Sequence, residues 1–206
     1  MPKLKILVAD DHELVRVGIV SLLETEDNIA VVGEAADGEE ALKKSIKVRP
    51  DVILMDLMMP ILDGVSATEK ILKQLPGCKI LIMTTSTASD DLANARDSGA
   101  HGVITKNAPY PVLLSAIRTI ACGKSFISPE IAQIIADDPP APKLTERQME
   151  ILHSVTRGLT NIDIAKQLGI SKDRIRDHLN AICTKLGAAN RAEAVAIALR
   201  KHLLKI

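Results

Sequence analysis

Apolar residues in the first 120 positions fall into short runs separated by longer stretches of helical spacing. The runs lie at 5–9, 29–34, 52–55, 79–83 and 102–105. They are rich in Val and Ile, as expected of strands buried on both faces of a parallel sheet. The intervening stretches lie at 13–24, 38–48, 65–75, 89–98 and 109–122. Leu14, Val17, Gly18 and Leu22, and likewise Ala41, Leu42, Ser45 and Ile46, recur with a helical period. Five strands alternating with five helices predict a doubly wound α/β domain of the (βα)5 kind. From 123 onward there is no strand pattern. A short helix is expected at 128–136, followed by a polar, proline-rich linker at 137–142. Four helical segments then follow at 145–157, 161–168, 171–186 and 190–203, enough for a small all-α domain. Thr145 with Gln148 fits a capping box, Asn190 with Glu193 resembles one, and Ser171 fits an N-cap. Gly158, Gly169 and Gly187 fall at helix ends, where a left-handed residue is often needed. The chain therefore divides into 1–122, a linker with a short helix at 123–142, and 143–206.

Charge sharpens this division. The 206 residues carry 26 basic and 26 acidic side chains, but residues 1–142 hold 14 Lys/Arg against 20 Asp/Glu and residues 143–206 hold 12 against 6. A basic second half beside an acidic first half points to a polyanionic partner for the second. Cys78, Cys122 and Cys183 lack metal-ligand spacing and are read as reduced, mostly buried thiols of a cytoplasmic protein. The N-terminus has no signal-peptide pattern, and no apolar stretch approaches the roughly 18 residues of a membrane span. Phe126 and Tyr110 are the only aromatic residues, so a base-stacking platform for single strands is not expected.

The polar residues at the strand ends carry the chemistry. Asp10 and Asp11 end the first strand, Asp56 the third, Thr84 the fourth and Lys106 the fifth. All five gather at the carboxyl edge, where such sheets bind ligands. Three adjacent carboxylates repel one another unless a cation sits among them. Hard oxygen donors suit Mg²⁺, and a lysine and a hydroxyl beside it complete a phosphoryl-binding pocket. The implied reaction is in-line attack by an aspartate on a phosphoryl donor. Asp37, Asp63 and His12 read instead as helix-start or turn residues.

Asp10-Asp11, Asp56 with Met58-Met59-Pro60, Asp63-Gly64, Thr84 and Lys106 together resemble the receiver domain of response regulators, over about 1–122. His12 and Arg16 resemble the NarL/FixJ subfamily. The resemblance implies that Asp56 accepts phosphate from a histidine kinase. It also implies that Asp11, Asp56 and the Met58 carbonyl hold Mg²⁺, with Asp10 acting through water, and that Thr84 and Lys106 contact phosphoryl oxygens. Val103 stands where the family usually has a switch aromatic.

In the second half, 161–168, the turn Leu168-Gly169-Ile170-Ser171 and 171–186 predict a helix-turn-helix. Ile162, Ile164, Ala165 and Leu168 are expected to pack against Ile175, Leu179 and Ile182. Lys172, Arg174, Arg176 and Lys185 would neutralise phosphates. Arg176 is the first candidate for reading guanine, Arg174 and Asn180 the next, and Asp177 either repels phosphate or accepts from a cytosine amino group. The stretch 143–203 is similar to the LuxR-type output domain, although Gln148 replaces its usual glutamate and Arg174 its usual threonine. That similarity implies dimeric binding to a palindromic site in double-stranded promoter DNA, with RNA polymerase as a further partner. The expected protein is a phosphorylation-controlled transcriptional regulator, homodimeric when phosphorylated, and no enzyme beyond its own phosphoryl transfer and dephosphorylation. The alternatives are a phosphorylation-independent DNA-binding regulator with a degenerate receiver, or a phosphatase or phosphotransferase. The latter would need a second acid/base carboxylate where Met58 stands.

Overall fold

The computed structural model describes residues 2–140, 144–201 and 203–204. The chain forms two compact units that divide between Pro139 and Pro140. In the first, β1 (Leu4–Ala9), β2 (Ile29–Ala35), β3 (Val52–Asp56), β4 (Lys79–Thr84), β5 (Gly102–Thr105) and β6 (Phe126–Ile127) form one sheet in the order β2-β1-β3-β4-β5-β6. Every pairing is parallel. The alternation of side chains explains why both faces are apolar. Ile6, Val8, Leu54, Leu81, Met83 and Ile104 meet Leu23 of α1 (Glu13–Glu24) and Leu113, Ile117 and Ile120 of α5 (Tyr110–Ala121). Leu7, Ile53, Met55, Ile80, Ile82 and Val103 face the other way. They pack with α2 (Gly38–Val48), α3 (Gly64–Gln74), α4 (Ser89–Asp97) and Ile131 of α6 (Pro129–Asp137).

The sixth strand overturns the expectation that no strand follows 123. It pairs Gly102 with Phe126 and Val103 with Ile127, and it is too short for a two-residue period to show in the sequence. Pro129 then opens α6, and α6 lays Ile131, Ile134 and Ile135 on the sheet core. Most of the segment read as linker is thus part of the first unit. The remainder of that linker, 141–142, lies outside the described residues.

Helical spacing identifies an apolar stripe without showing what covers it. Leu14, Val17 and Leu22 are on the exposed side of α1, Leu14 being 89% exposed, and Ile46 of α2 is also exposed. The thiols are free, but only Cys78 is buried; Cys183 is half-buried and Cys122 exposed.

The second unit contains α7 (Glu146–Thr156), α8 (Asn161–Leu168), α9 (Lys172–Leu186) and α10 (Arg191–Arg200). Ile151, Leu152, Ile164, Ile175, Leu179, Ile182 and Ala198 form its core. Ile162, expected inside, is 50% exposed. The capping box at Thr145 and Gln148 is present, and Thr160 with Asp163 makes a second one. Glu193 reaches the amide of Ala189 rather than that of Asn190, the N-cap of α10.

Candidate functional site

The carboxyl ends of β1, β3, β4 and β5 bring Asp10, Asp56, Thr84 and Lys106 to one edge, as expected of a parallel sheet. Asp10 is 0% and Asp56 3% exposed. Lys106 Nζ lies 2.8 Å from Asp10 Oδ2 and 2.7 Å from Asp56 Oδ2, so one ammonium bridges two carboxylates. Burial pushes the Asp56 carboxyl above its usual range and Asp10 adds to this, while Lys106 works in the opposite direction. Burial would lower Lys106, but its two carboxylate partners outweigh it and hold the ammonium above its ordinary value.

Local chemistry fixes the rest of the pocket. The Asp10 side chain accepts from the His12 amide at 2.9 Å. Arg16 Nη1 donates to the Asp10 carbonyl at 2.7 Å, and its Nε to Glu34 at 3.3 Å, clamping the turn that carries Asp10 and Asp11. Behind Asp56 the chain doubles back so closely that a Cβ on Gly64 would meet the Asp56 carbonyl oxygen at 2.1 Å, so residue 64 has to be glycine. Asp37 caps α2, as read from the sequence, and Asp63, read as a turn residue, is the N-cap of α3. Met58 is exposed, and its amide approaches Asp56 Oδ1 at 3.4 Å.

The donor set fits a divalent cation. One ligand atom each from Asp10, Asp11, His12 and Asp56 lies within 4.8 Å of the others. Asp10 Oδ2 is buried, with the Lys106 ammonium 2.8 Å away. Three hard carboxylates, two of them buried, suit Mg²⁺. His12 sits at the N-cap of α1 with its ring 2.8 Å from Asp11.

The helix-turn-helix presents a different surface. Gly169 ends α8 with φ +64°, and Ser171 caps α9 through the Arg174 amide. Ile175, Leu179, Ile182 and Leu186 turn inward at spacings of four and three, leaving Lys172, Arg174, Arg176, Asp177 and Asn180 exposed. Arg176 pairs with Asp173 at 3.1 Å, one helical turn away and in solvent. Lys185 differs from the rest: its Nζ donates to Gln148 Oε1 at 2.9 Å, and that oxygen also accepts from the Thr145 amide. Gln148 thus still caps α7 and holds α9 without the charge of a glutamate.

The family description "Response regulator receiver domain" matches residues 6–118, and "Bacterial regulatory proteins, luxR family" matches 142–198. The chain belongs to the response regulator family. Response regulator protein VraR of Staphylococcus aureus is 37% identical over 207 residues, covering 98% of this chain and 99% of VraR. Among solved structures, the response regulator ChrA of a heme-sensing two-component system is 33% identical, with a TM-score of 0.59 over 99% of this chain and 100% of ChrA. RcsB in an RcsB–DNA complex is 25% identical, with a TM-score of 0.67 over 97% of this chain and 98% of RcsB. As a response regulator with a LuxR-type DNA-binding domain, the protein is a two-component transcription factor. No helix among the described residues is long and apolar enough to cross a membrane.

Two contacts in this response regulator were not legible in the sequence. Val103, at the position of the family's switch aromatic, is buried in the cluster that Ile131 of α6 completes, so the helix covers the ground beside it. Ser86 and Asp91 form a hydrogen-bonded pair beside Thr84, at 2.7 Å. Neither residue type advertises itself, because both are common in ordinary loops and helix starts.

Proposed function

We propose that Asp56 is the phosphoacceptor and that its phosphorylation switches dimerisation and promoter binding. The buried Asp10–Lys106–Asp56 constellation carries this reading: such a cluster is costly to fold unless it is used. Mg²⁺, held by Asp11, Asp56 and the Met58 carbonyl with Asp10 through water, would supply positive charge against the phosphoryl oxygens. An Asp56 carboxylate oxygen attacks phosphorus in line. The new O–P bond forms as the bond to the donor nitrogen of a kinase phosphohistidine breaks, and the electron pair leaves with the imidazole. Lys106 turns its ammonium to the transferred group and the Thr84 hydroxyl donates to it. The receiver unit extends to 139 on this reading, and residues from 143 onward bind DNA.

In the second unit, Arg176 and Asn180 read base edges, Lys172 and Arg174 hold phosphates, and Asp177 limits which sequences are accepted. Lys185 contributes least, since Gln148 already holds it. The protein acts in the cytoplasm as a homodimer when phosphorylated, with RNA polymerase as a further contact. Its only catalysis is on its own phosphoryl group. Incubation with acetyl phosphate and Mg²⁺ followed by intact mass measurement tests the reading. One phosphoryl adduct, absent in Asp56→Ala and without added Mg²⁺, is expected. An adduct that persists in Asp56→Ala sinks it.

A further inference from the structure

His12 occupies the N-cap of α1 but makes no capping bond with its side chain, although that position ordinarily goes to a Ser, Thr, Asp or Asn that does. Its amide is taken by the Asp10 carboxylate. The ring has no part in starting the helix, and it turns back over the acids. Nδ1 lies 2.8 Å from Asp11 Oδ1 and 3.7 Å from Asp10 Oδ1. One donor atom each from Asp10, Asp11, His12 and Asp56 falls within 4.8 Å of the others. The backbone that carries the first three is held by Arg16, whose Nη1 donates to the Asp10 carbonyl.

We propose that His12 is a metal ligand, and that through it the acid pocket takes a borderline transition-metal dication of the Co²⁺ to Zn²⁺ class as well as Mg²⁺. The inference rests on this pocket being a cation site and goes beyond it in the donor and in the ion. Mg²⁺ is a hard ion that prefers oxygen and keeps its waters, so an imidazole adds little to its binding. Co²⁺, Ni²⁺ and Zn²⁺ gain from imidazole nitrogen, and His12 supplies what carboxylates alone lack. The spacing agrees. Two donors at right angles around such an ion stand about 3 Å apart, close to the 2.8 Å between His12 and Asp11. Opposite donors stand about 4.2 Å apart, so the set has to close by a few tenths of an ångström. The His12 side chain is 69% exposed and has the freedom to do this. Without an ion, the proton on Nδ1 hydrogen-bonds to Asp11; with one, the Nδ1 lone pair takes the metal and the proton resides on Nε2. Both classes of ion use Asp11 and Asp56, so each excludes the other.

Full-length wild type, His12→Ala and Asp11→Asn are titrated calorimetrically with Mg²⁺ alone and with Co²⁺ alone, and Co²⁺ is titrated again in saturating Mg²⁺. Binding that Mg²⁺ displaces reports this pocket and not the cysteines or other histidines. Wild type should hold one displaceable Co²⁺ per chain, more tightly than Mg²⁺. His12→Ala should weaken it about tenfold or more and leave Mg²⁺ affinity within about twofold. Asp11→Asn should weaken both. In proton NMR the Co²⁺ form should show one far-shifted imidazole N–H that is absent from His12→Ala and lost on adding Mg²⁺. If Mg²⁺ binds but Co²⁺ binds wild type and His12→Ala equally, or if His12→Ala weakens both ions alike, His12 is no ligand while the cation site stands. If neither ion binds displaceably, the cation site falls with it.

Discussion

The two halves of the molecule put their charged groups to use in opposite ways. In the receiver, Asp10 and Asp56 are buried and the mostly covered Lys106 lies within ion-pair distance of both. In the helix-turn-helix, Lys172, Arg174, Arg176 and Asn180 lie in water on the outside of a single helix. Buried charge is expensive and demands a partner, whereas an exposed arginine costs the fold almost nothing. The first arrangement therefore announces its purpose in its energetics. The second announces it only through its place on the helix after a helix-turn-helix turn. In one site substitution should disturb the fold together with function; in the other it should disturb function alone.

The largest effect should come from Lys106→Ala, which leaves Asp10 and Asp56 facing each other. Without divalent cations, urea unfolding of the receiver transition should show a loss of about 3–5 kcal/mol. Millimolar Mg²⁺ should recover part of it, because a ligand that binds only the folded state stabilises it. Lys172→Ala, by contrast, should change stability by less than about 0.5 kcal/mol. A loss as large for Lys172 as for Lys106 would erase the contrast.

Next in size is Ile182→Ala in the core of the second unit. Its side chain is fully buried, and its loss should cost about 2–5 kcal/mol in the unfolding of that unit. The rate of phosphoryl transfer to the receiver should not move. A slowed rate would show that the halves do not fold as separate units.

Smaller still are the DNA contacts. Arg176→Ala should weaken specific binding by about 1–3 kcal/mol and relax preference at one base pair. Lys172→Ala should weaken binding to all duplexes alike and lower the slope of log K against log salt by about one. The two outcomes are separated by titrations at several salt concentrations.

The smallest expected effect is one of pH, far from either site. Burial holds the His101 imidazole below its ordinary range, and Lys79, 3.3 Å away, adds to this. The unfolded chain therefore binds a proton more readily than the folded one. Receiver stability should fall as pH drops through about 6.5 and level off below the lower folded value. His101→Gln should remove this slope, as read by urea midpoints between pH 7 and 5.

Most of the receiver was legible because a strand buried on both faces leaves an unbroken apolar run, and four of the five runs ended on a residue with chemistry. Asp10, Asp56, Thr84 and Lys106 could be brought together on paper by counting strands in a parallel sheet. Phe126–Ile127 could not be seen, since two residues show no period; the helix after it was expected at 128–136, but not its packing beside Val103. On α1, Leu14 and Val17 follow the helical repeat perfectly well but face solvent. In the second unit the recognition helix was legible from its inward residues, while the engagement of Lys185 by Gln148 depended on a crossing of α7 and α9 that sequence spacing does not encode. The hydrogen bond that Ser89 donates to Asp138, spanning 49 residues between two ordinary polar side chains, left no trace in the sequence at all.

The central claim is that chemistry at the buried site sets the affinity of the exposed one. The most direct measurement is the binding of the full chain, with and without acetyl phosphate and Mg²⁺, to duplexes selected by this protein from a random pool, at one fixed salt concentration, beside Asp56→Ala. Tighter binding on phosphorylation in wild type and none in Asp56→Ala is the predicted result. Equal affinity in both states of a wild-type chain shown to carry the phosphoryl group would contradict it.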